Sequence, residues 1–267
     1  MIKAKKKFGQ NFLQDQGVLR KIIESMPKND NKIIEIGPGL GDLTKFLVNV
    51  KSVEAFEVDT DLCTILQEKF KKELSTKQLL LHCGDVLESW KSELCDEAYD
   101  LVANLPYYIA TNIILKALAD KNCKNILVMV QLEVAQKFCA KPGEKAFGAL
   151  SVIASSIAKC SITQIVPPTA FEPAPKVDSA VMLIEKQASR NDEGFEKFLK
   201  VCFTQPRKTL LKNLSQTFDK TQLQAILEEL ELPQTIRPHQ LSTDDYHQLY
   251  KNIQESLDGR IKKNTSS

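Results

Sequence analysis

The chain has 267 residues, 43% of them hydrophobic and 26% charged, with a formal net charge of +2. That length holds one large α/β domain, or a large domain plus a small one, and the composition is that of a soluble globular protein. The near-neutral charge excludes a polycation, so any nucleic-acid contact has to rest on local basic patches.

The chain opens on Lys3, Lys5, Lys6 and Lys7 before Phe8. Gly9, Gln10 and Asn11 follow where a secretory signal would have an apolar run, so residues 1–13 read as a basic arm. No stretch approaches the roughly 20 apolar residues of a membrane span, and a cytoplasmic protein with no membrane partner is expected. The cysteines are seven in number, scattered and without a CxxC pair. This argues against a disulfide framework or a zinc site and for small buried hydrophobes.

Short apolar runs then alternate with helical spacing, which predicts an α/β fold with a parallel sheet and crossover helices. KIIEI at 32–36 is a first strand, running into Gly37-Pro38-Gly39-Leu40-Gly41 and a helix over 42–48. A second strand at 53–58 ends at Asp59, and a helix over 61–72 places Leu62, Ile65, Leu66 and Phe70 on one face. Further strands are expected at 78–82 before Gly84-Asp85, at 99–103 before Asn104-Leu105-Pro106-Tyr107, and at 125–130. Residues 141–147 read as a loop, 149–158 as a helix of small apolar residues, and 161–166 and 177–184 as two more strands around a Pro-rich segment. The polar stretch 187–194 marks the domain boundary: a sheet domain over 1–187 and a small all-helical domain over 188–267.

A strand, a glycine-rich turn and a helix are shared by nucleotide-binding α/β folds. Gly37, Gly39 and Gly41 let backbone approach a ligand where a Cβ would clash. Glycines serving only the turn are the plainer reading of such a loop taken alone. Glu57, at the end of the second strand, is suited to accept from ribose hydroxyls. GPGLG is not GxGxxG, and Pro38 lacks an N–H to offer a pyrophosphate. The pattern points to an adenosyl cofactor without phosphates, S-adenosylmethionine. Asp85 stands where an acceptor could meet an adenine amine, with a helix N-cap as its plainer alternative.

Ligands of doubly wound sheets bind at the carboxyl ends of the strands, so Asn104-Leu105-Pro106-Tyr107 faces the same crevice as the glycine loop. The Asn104 side-chain oxygen can accept one N–H of an adenine amine. Pro106 fixes its own φ and biases Leu105 towards extended backbone, which can turn a carbonyl, that of Leu105, to the second N–H. Tyr107 offers a ring for base stacking, worth roughly 1–3 kcal/mol. A sulfonium methyl is already electrophilic, so alignment and stabilisation of the charge developing on nitrogen suffice, without a strong base. A β-turn with Tyr107 as packing is the alternative for an isolated NLPY.

Taken together, the residues resemble the ribosomal RNA adenine N6,N6-dimethyltransferases, which dimethylate two adjacent adenosines near the 3′ end of 16S rRNA. The markers are KFGQNFL at 7–13, EIGPGLGDLT at 35–44, EVD at 57–59, GD at 84–85, NLPY at 104–107, FEPAPKVDSA at 171–180 and RKTL at 207–210. They span nearly the whole chain, and the first and the FxPxPKVDSA segment are the specific ones. The resemblance implies a Rossmann-like class I methyltransferase sheet with a small helical C-terminal domain. It implies that Asn11, Leu13, Gly37, Gly39, Glu57, Asp85 and Asn104 hold S-adenosylmethionine, and that Tyr107 and Phe171 sandwich a flipped-out adenine. It also implies that Lys5, Lys6, Lys7, Arg207 and Lys208 grip 16S rRNA in an immature small ribosomal subunit, the enzyme acting as a monomer. Two departures thin the basic surface: Pro206 takes the place of an arginine before the RKTL segment, and Ala149 that of a basic residue.

Three competing readings remain open: a large-subunit rRNA methylase, an assembly factor or transcription factor acting by binding alone, and a nicotinamide dehydrogenase, which GPGLG and NLPY disfavour. Arg207, Lys208 and Lys212 lie at helical spacing on one face. His82 is expected to pack within its strand and Trp90 to pack locally. His239 and His247 show no ligand spacing, and no metal is assigned.

Overall fold

In the computed structural model the described residues are 10–187 and 192–264, with side chains through residue 257. Lys5, Lys6 and Lys7 lie outside them. In chain order the elements are β1 (Phe12–Leu13), α1 (Gln16–Glu24), β2 (Lys32–Ile36), α2 (Asp42–Leu47), β3 (Val53–Glu57), α3 (Thr60–Lys69) and α4 (Lys71–Ser75). Next come β4 (Leu79–Cys83), α5 (Val86–Ser89), β5 (Tyr99–Asn104), α6 (Ala110–Ala119), β6 (Cys123–Gln131), α7 (Leu132–Cys139) and α8 (Ala149–Ile157). The chain continues through β7 (Ala158–Val166), β8 (Phe171–Glu172), β9 (Ser179–Lys186), α9 (Glu193–Cys202), α10 (Leu210–Leu214), α11 (Lys220–Glu229) and α12 (Thr243–Asn264).

The fold is α/β and Rossmann-like. Its main sheet runs in the order β4-β3-β2-β5-β6-β9-β7. The strands from β4 to β6 are parallel, whereas β9 runs antiparallel to β6. The sheet is therefore mixed, not purely parallel. The apolar runs that betray each strand carry no sign of its direction. Strand order reverses at β2, which has β3 on one side and β5 on the other. That reversal opens a crevice at the carboxyl ends of β2, β3 and β5.

The helix expected over 61–72 breaks at Phe70, which has φ −112° and ψ 29° and separates α3 from α4. The Phe70 ring is buried beneath the glycine loop. Gly41 has φ +78°, and a Cβ there would lie 2.5 Å from the Phe70 ring and 2.9 Å from Leu66. Glycine at this position thus meets two demands at once, a left-handed turn and a ring packed against the turn. Helices α3 and α5 start on Asp59 and Asp85, whose side chains accept from the Asp61 and Leu87 N–H groups.

Residues 136–158 group with the helices after 187, and 159–186 with the sheet, so the described chain forms two compact units of interleaved sequence. Helix α8, placed with the sheet domain by its sequence position, packs on α9 and α12. Within this helical unit Ser156 Oγ and His247 Nε2 are 2.8 Å apart, and His247 stacks on Phe195 at 4.0 Å. Arg207 and Lys208 are exposed and precede α10, which Thr209 caps, so the helical spacing expected for them with Lys212 is not formed.

Two cysteines depart from the expectation for thiols. Cys63, in the first turn of α3, is disulfide-bonded to Cys83, at the end of β4, with Cα atoms 6.1 Å apart. The β3–β4 register, which sets Cys83 opposite Glu57, brings together residues that sequence spacing leaves unrelated. His82 is half exposed and lies on Phe56 (4.6 Å), with its Nε2 2.9 Å from Glu54 Oε1. Because β4 is an edge strand, this side of it stays open to solvent.

Gly41→Ala should lose about 2–4 kcal/mol of unfolding free energy in urea titrations, from left-handed backbone and overpacking together. Gly143→Ala, with φ +89° but open space around the added methyl, should lose only the backbone share of about 1–2 kcal/mol. Equal losses would contradict the packing argument.

Candidate active site

The crevice at the strand reversal is an open cleft lined by residues 10–13, the glycine loop, and the ends of β3, β4 and β5. Glu57 ties these pieces together. Its Oε2 accepts from the Gly39 N–H (3.0 Å) and its Oε1 from the Asp59 N–H (2.9 Å). Its backbone carbonyl accepts from the Gly84 N–H (2.8 Å). One residue therefore fixes the glycine loop, the start of α3 and the turn leading to Asp85. Burial raises the Glu57 carboxyl above its ordinary range, opposed by the two backbone N–H bonds. Each carboxylate oxygen keeps a lone pair beyond these bonds, so it can still accept from a ligand hydroxyl.

The glycine loop holds its shape by its own bonds: Gly37 N–H donates to Phe56 O and Gly41 N–H to Pro38 O, both at 2.9 Å. A Cβ on Gly39 would lie 3.2 Å from the Phe12 ring, so the N-terminal segment closes directly over the loop. That segment is held at several points. β1 pairs antiparallel with β8, Leu13 opposite Phe171. Gln10 Nε2 donates to Asp59 Oδ2 (3.1 Å), and Asn104 Nδ2 donates to Asn11 O (3.2 Å).

The last of these bonds orients the NLPY corner. With its amide nitrogen engaged by Asn11, Asn104 has Oδ1 left as an acceptor at the cleft. The Leu105 N–H donates to Met129 O (3.1 Å) and the Ile109 N–H to Pro106 O (3.2 Å), which pins the backbone on both sides of Tyr107. Tyr107 lines the cleft and is half buried. Burial raises its phenol, which stays neutral. Asp85 caps α5 through Leu87 N (2.9 Å), the plainer of its two readings, and also lines the cleft.

Asn11, Leu13, Gly37, Gly39, Glu57, Asp85, Asn104, Leu105 and Tyr107 thus meet around one cleft. Phe171 does not line it. Its ring is 4% exposed and sits in the apolar cluster that includes Leu13 and Val166. The two-sided aromatic clamp that the resemblance implies is not assembled, because burial in the apolar cluster favours the ring there.

Among the cleft residues without a role in the sequence reading are Glu35, Gln10, Phe56 and Tyr108. Glu35 did leave a signal, a lone charge inside the buried run KIIEI. It is 1% exposed and accepts from Thr44 Oγ1 at 2.7 Å. Burial pushes its carboxyl up to about 8.

The electrostatics separate ligand classes. Glu35, Asp42, Glu57 and Asp85 line the cleft, and no Lys or Arg does among the described residues. The Gly39 N–H, which a phosphate would need, is already given to Glu57. This donor and acceptor set fits a nucleoside carrying a positive group and rejects a polyphosphate. Glu57 and Asn104, closing two strands of the sheet, line this one cleft.

The profile of the ribosomal RNA adenine dimethylase family matches residues 1–255. The chain belongs to that family. A protein named ribosomal RNA small subunit methyltransferase A, from Sulfurimonas denitrificans, is 71% identical over 258 residues, 97% of this chain and 96% of its own length. Among solved structures, a dimethyladenosine transferase from Plasmodium falciparum superposes with TM-score 0.76 at 24% identity, covering 89% of this chain and 95% of that one. The 23S rRNA methyltransferase ErmE superposes with TM-score 0.72 at 22% identity, covering 91% and 100%. These two structural likenesses carry the fold, and the sequence matches carry the family. The chain is an rRNA adenine dimethyltransferase.

The buried Glu35 gives a pH-dependent prediction. Unfolded, a glutamate ionises near about 4.3, so between there and about 8 the folded chain binds more protons than the unfolded one. Stability from this group is then lost as pH rises through that window. Glu35→Gln abolishes the ionisation, so the melting temperature of the variant relative to the parent should climb from about pH 5 to about pH 8 and then level off. A difference that stays flat or falls would refute the assignment.

Proposed function

We propose that this dimethyltransferase moves methyl groups from S-adenosylmethionine to N6 of two adjacent adenosines in the 3′-terminal hairpin of 16S rRNA. The substrate is an immature small ribosomal subunit, and the enzyme works as a cytoplasmic monomer. The observation that carries this reading is the shared cleft, where the Asn104 acceptor and the strand-end Glu57 stand together with three further carboxyl groups and, among the described residues, no cation. The 71% identity to a protein named for small-subunit rRNA supports the choice of target.

S-adenosylmethionine supplies an electrophilic sulfonium methyl group. Glu57 accepts from ribose hydroxyls and Asp85 from the adenine amine, while Asn11, Leu13, Gly37 and Gly39 form the walls. The buried Glu35 offers an acceptor to an ammonium group. On the substrate side, Asn104 Oδ1 and the Leu105 carbonyl accept the two N–H bonds of the target amine. Those bonds shift the nitrogen towards sp³ character and stabilise the charge that develops on it. Tyr107 stacks on the flipped base. Phe171 covers its second face once the ring turns out of its cluster, the stacking repaying the lost apolar contact. Lys5, Lys6, Lys7, Arg207 and Lys208 meet phosphates, which sets affinity and salt dependence, not the choice of base.

Purified protein, labelled S-adenosylmethionine and small subunits from cells lacking the enzyme should give N6,N6-dimethyladenosine in the 3′-terminal hairpin of 16S rRNA. Label in 23S rRNA, or none, would reject the proposal. Asn104→Ala should slow methyl transfer by about 10²–10³-fold, the cost typical of removing one preorganised charge-stabilising group. Binding of the variant to subunits in a filter assay should be unchanged.

A further inference from the structure

Tyr107 owes its position to more than the backbone around it. The corner is pinned at Leu105 and Ile109, so the freedom that remains is rotation of the Tyr107 side chain. That rotation is restrained by one bond: Tyr107 Oη and Ser179 Oγ are 2.7 Å apart. Ser179 is the first residue of β9 and is fully buried, at 0% exposure.

The bond spans the sheet edge. Asn104 on β5 is level with Met129 on β6, and Met129 with Val181 on β9. Ser179 lies two residues further towards the carboxyl end of β6, opposite Gln131. The backbone there is fixed, because the neighbouring Asp178 O accepts from the Leu132 N–H at 3.0 Å. The Tyr107 side chain thus crosses over β6 and is tied to the third strand of the row.

We infer that Ser179 is a positioning residue for methyl transfer: its hydroxyl holds the Tyr107 side chain against swinging about its Cα–Cβ bond and thereby fixes the place of the base stacked on it. The inference rests on the proposed stacking role of Tyr107. A base that follows a rotating ring carries its amine away from Asn104 Oδ1, and misplacement on the order of 1 Å can cost about 10²-fold in rate. A hydroxyl with no part in the chemistry therefore acts on the rate of transfer and leaves cofactor affinity alone. Loss of either hydroxyl releases the ring, so the two should behave as one unit.

The test is a cycle of Ser179→Ala, Tyr107→Phe and the double variant, assayed on small subunits at saturating RNA. Each single variant should slow transfer by about tenfold, with the KM for S-adenosylmethionine and the calorimetric Kd for S-adenosylhomocysteine unchanged. The double variant should be no slower than the slower single one. Losses that multiply, or a loss that resides in the cofactor KM, would overturn the inference. If Ser179→Ala does not fold, Tyr107→Phe carries the test, and an unchanged rate in it overturns the inference. Subunits reconstituted with 2-aminopurine at a target adenosine separate this from the reading beneath it. If wild-type enzyme leaves the fluorescence unchanged, the stacking role of Tyr107 fails. If wild-type enzyme changes it and the variants keep full rate, only the role of Ser179 fails.

Discussion

The site depends on one carboxylate at the end of a strand. Glu57 holds the Gly39 and Asp59 N–H groups on its two oxygens at 3.0 and 2.9 Å, while its carbonyl holds Gly84. A parallel sheet leaves its strand ends and the loops beyond them without ladder partners, and backbone groups left there would otherwise need water. Glu57 answers that demand for three loops at once. The cost is a buried charge. It is offset by charge-assisted bonds from backbone dipoles, which are stronger than neutral ones. Spent on a carboxylate, the loop N–H cannot also cradle a phosphate, and the cleft is committed to a ligand of another kind.

The remaining parts of the site are added to that anchor by tethers that bridge distant segments. Gln10 reaches Asp59, Asn104 reaches Asn11, β1 lies against β8, and Tyr107 reaches Ser179. A hydrogen bond of this kind is worth on the order of 1 kcal/mol net. The value of the tethers is geometric. They fix the orientation of an acceptor amide and of an aromatic ring relative to the same cleft, so that little reorganisation is left for the reaction. Carboxyl acceptors dominate the cleft among the described residues, which suits the proposed transfer from a cationic donor to an amine that becomes cationic.

Much of this was legible in the sequence because the signals are local. A strand followed by GPGLG, a carboxylate closing the next strand and NLPY closing a later one each specify their neighbourhood by residue type alone. What escaped depends on partners far along the chain. The strands β1 and β8 are two residues long, too short for any period, and exist because they pair with each other. The direction of β9 follows from a connection, not from its apolar run. Helix α8 falls between sheet strands in sequence, yet its small apolar face belongs with α9 and α12. Arg207 and Lys208 have the spacing of a helical face but sit ahead of the cap at Thr209. Phe171 has the type expected of a base clamp, but its ring lies in the core beside Leu13 and Val166. Glu35 drew no reading of its own from the sequence, because its place on the cleft depends on how the surrounding loops fold.

The proposed seat of methyl transfer is the cleft bounded by Glu57 and Asn104. A crystal structure of the protein grown with S-adenosylhomocysteine tests it most directly. The account predicts ribose hydroxyls on the Glu57 carboxylate and the sulfur facing the Asn104 side chain. Density for the ligand anywhere else, or a ribose that leaves Glu57 uncontacted, would contradict it.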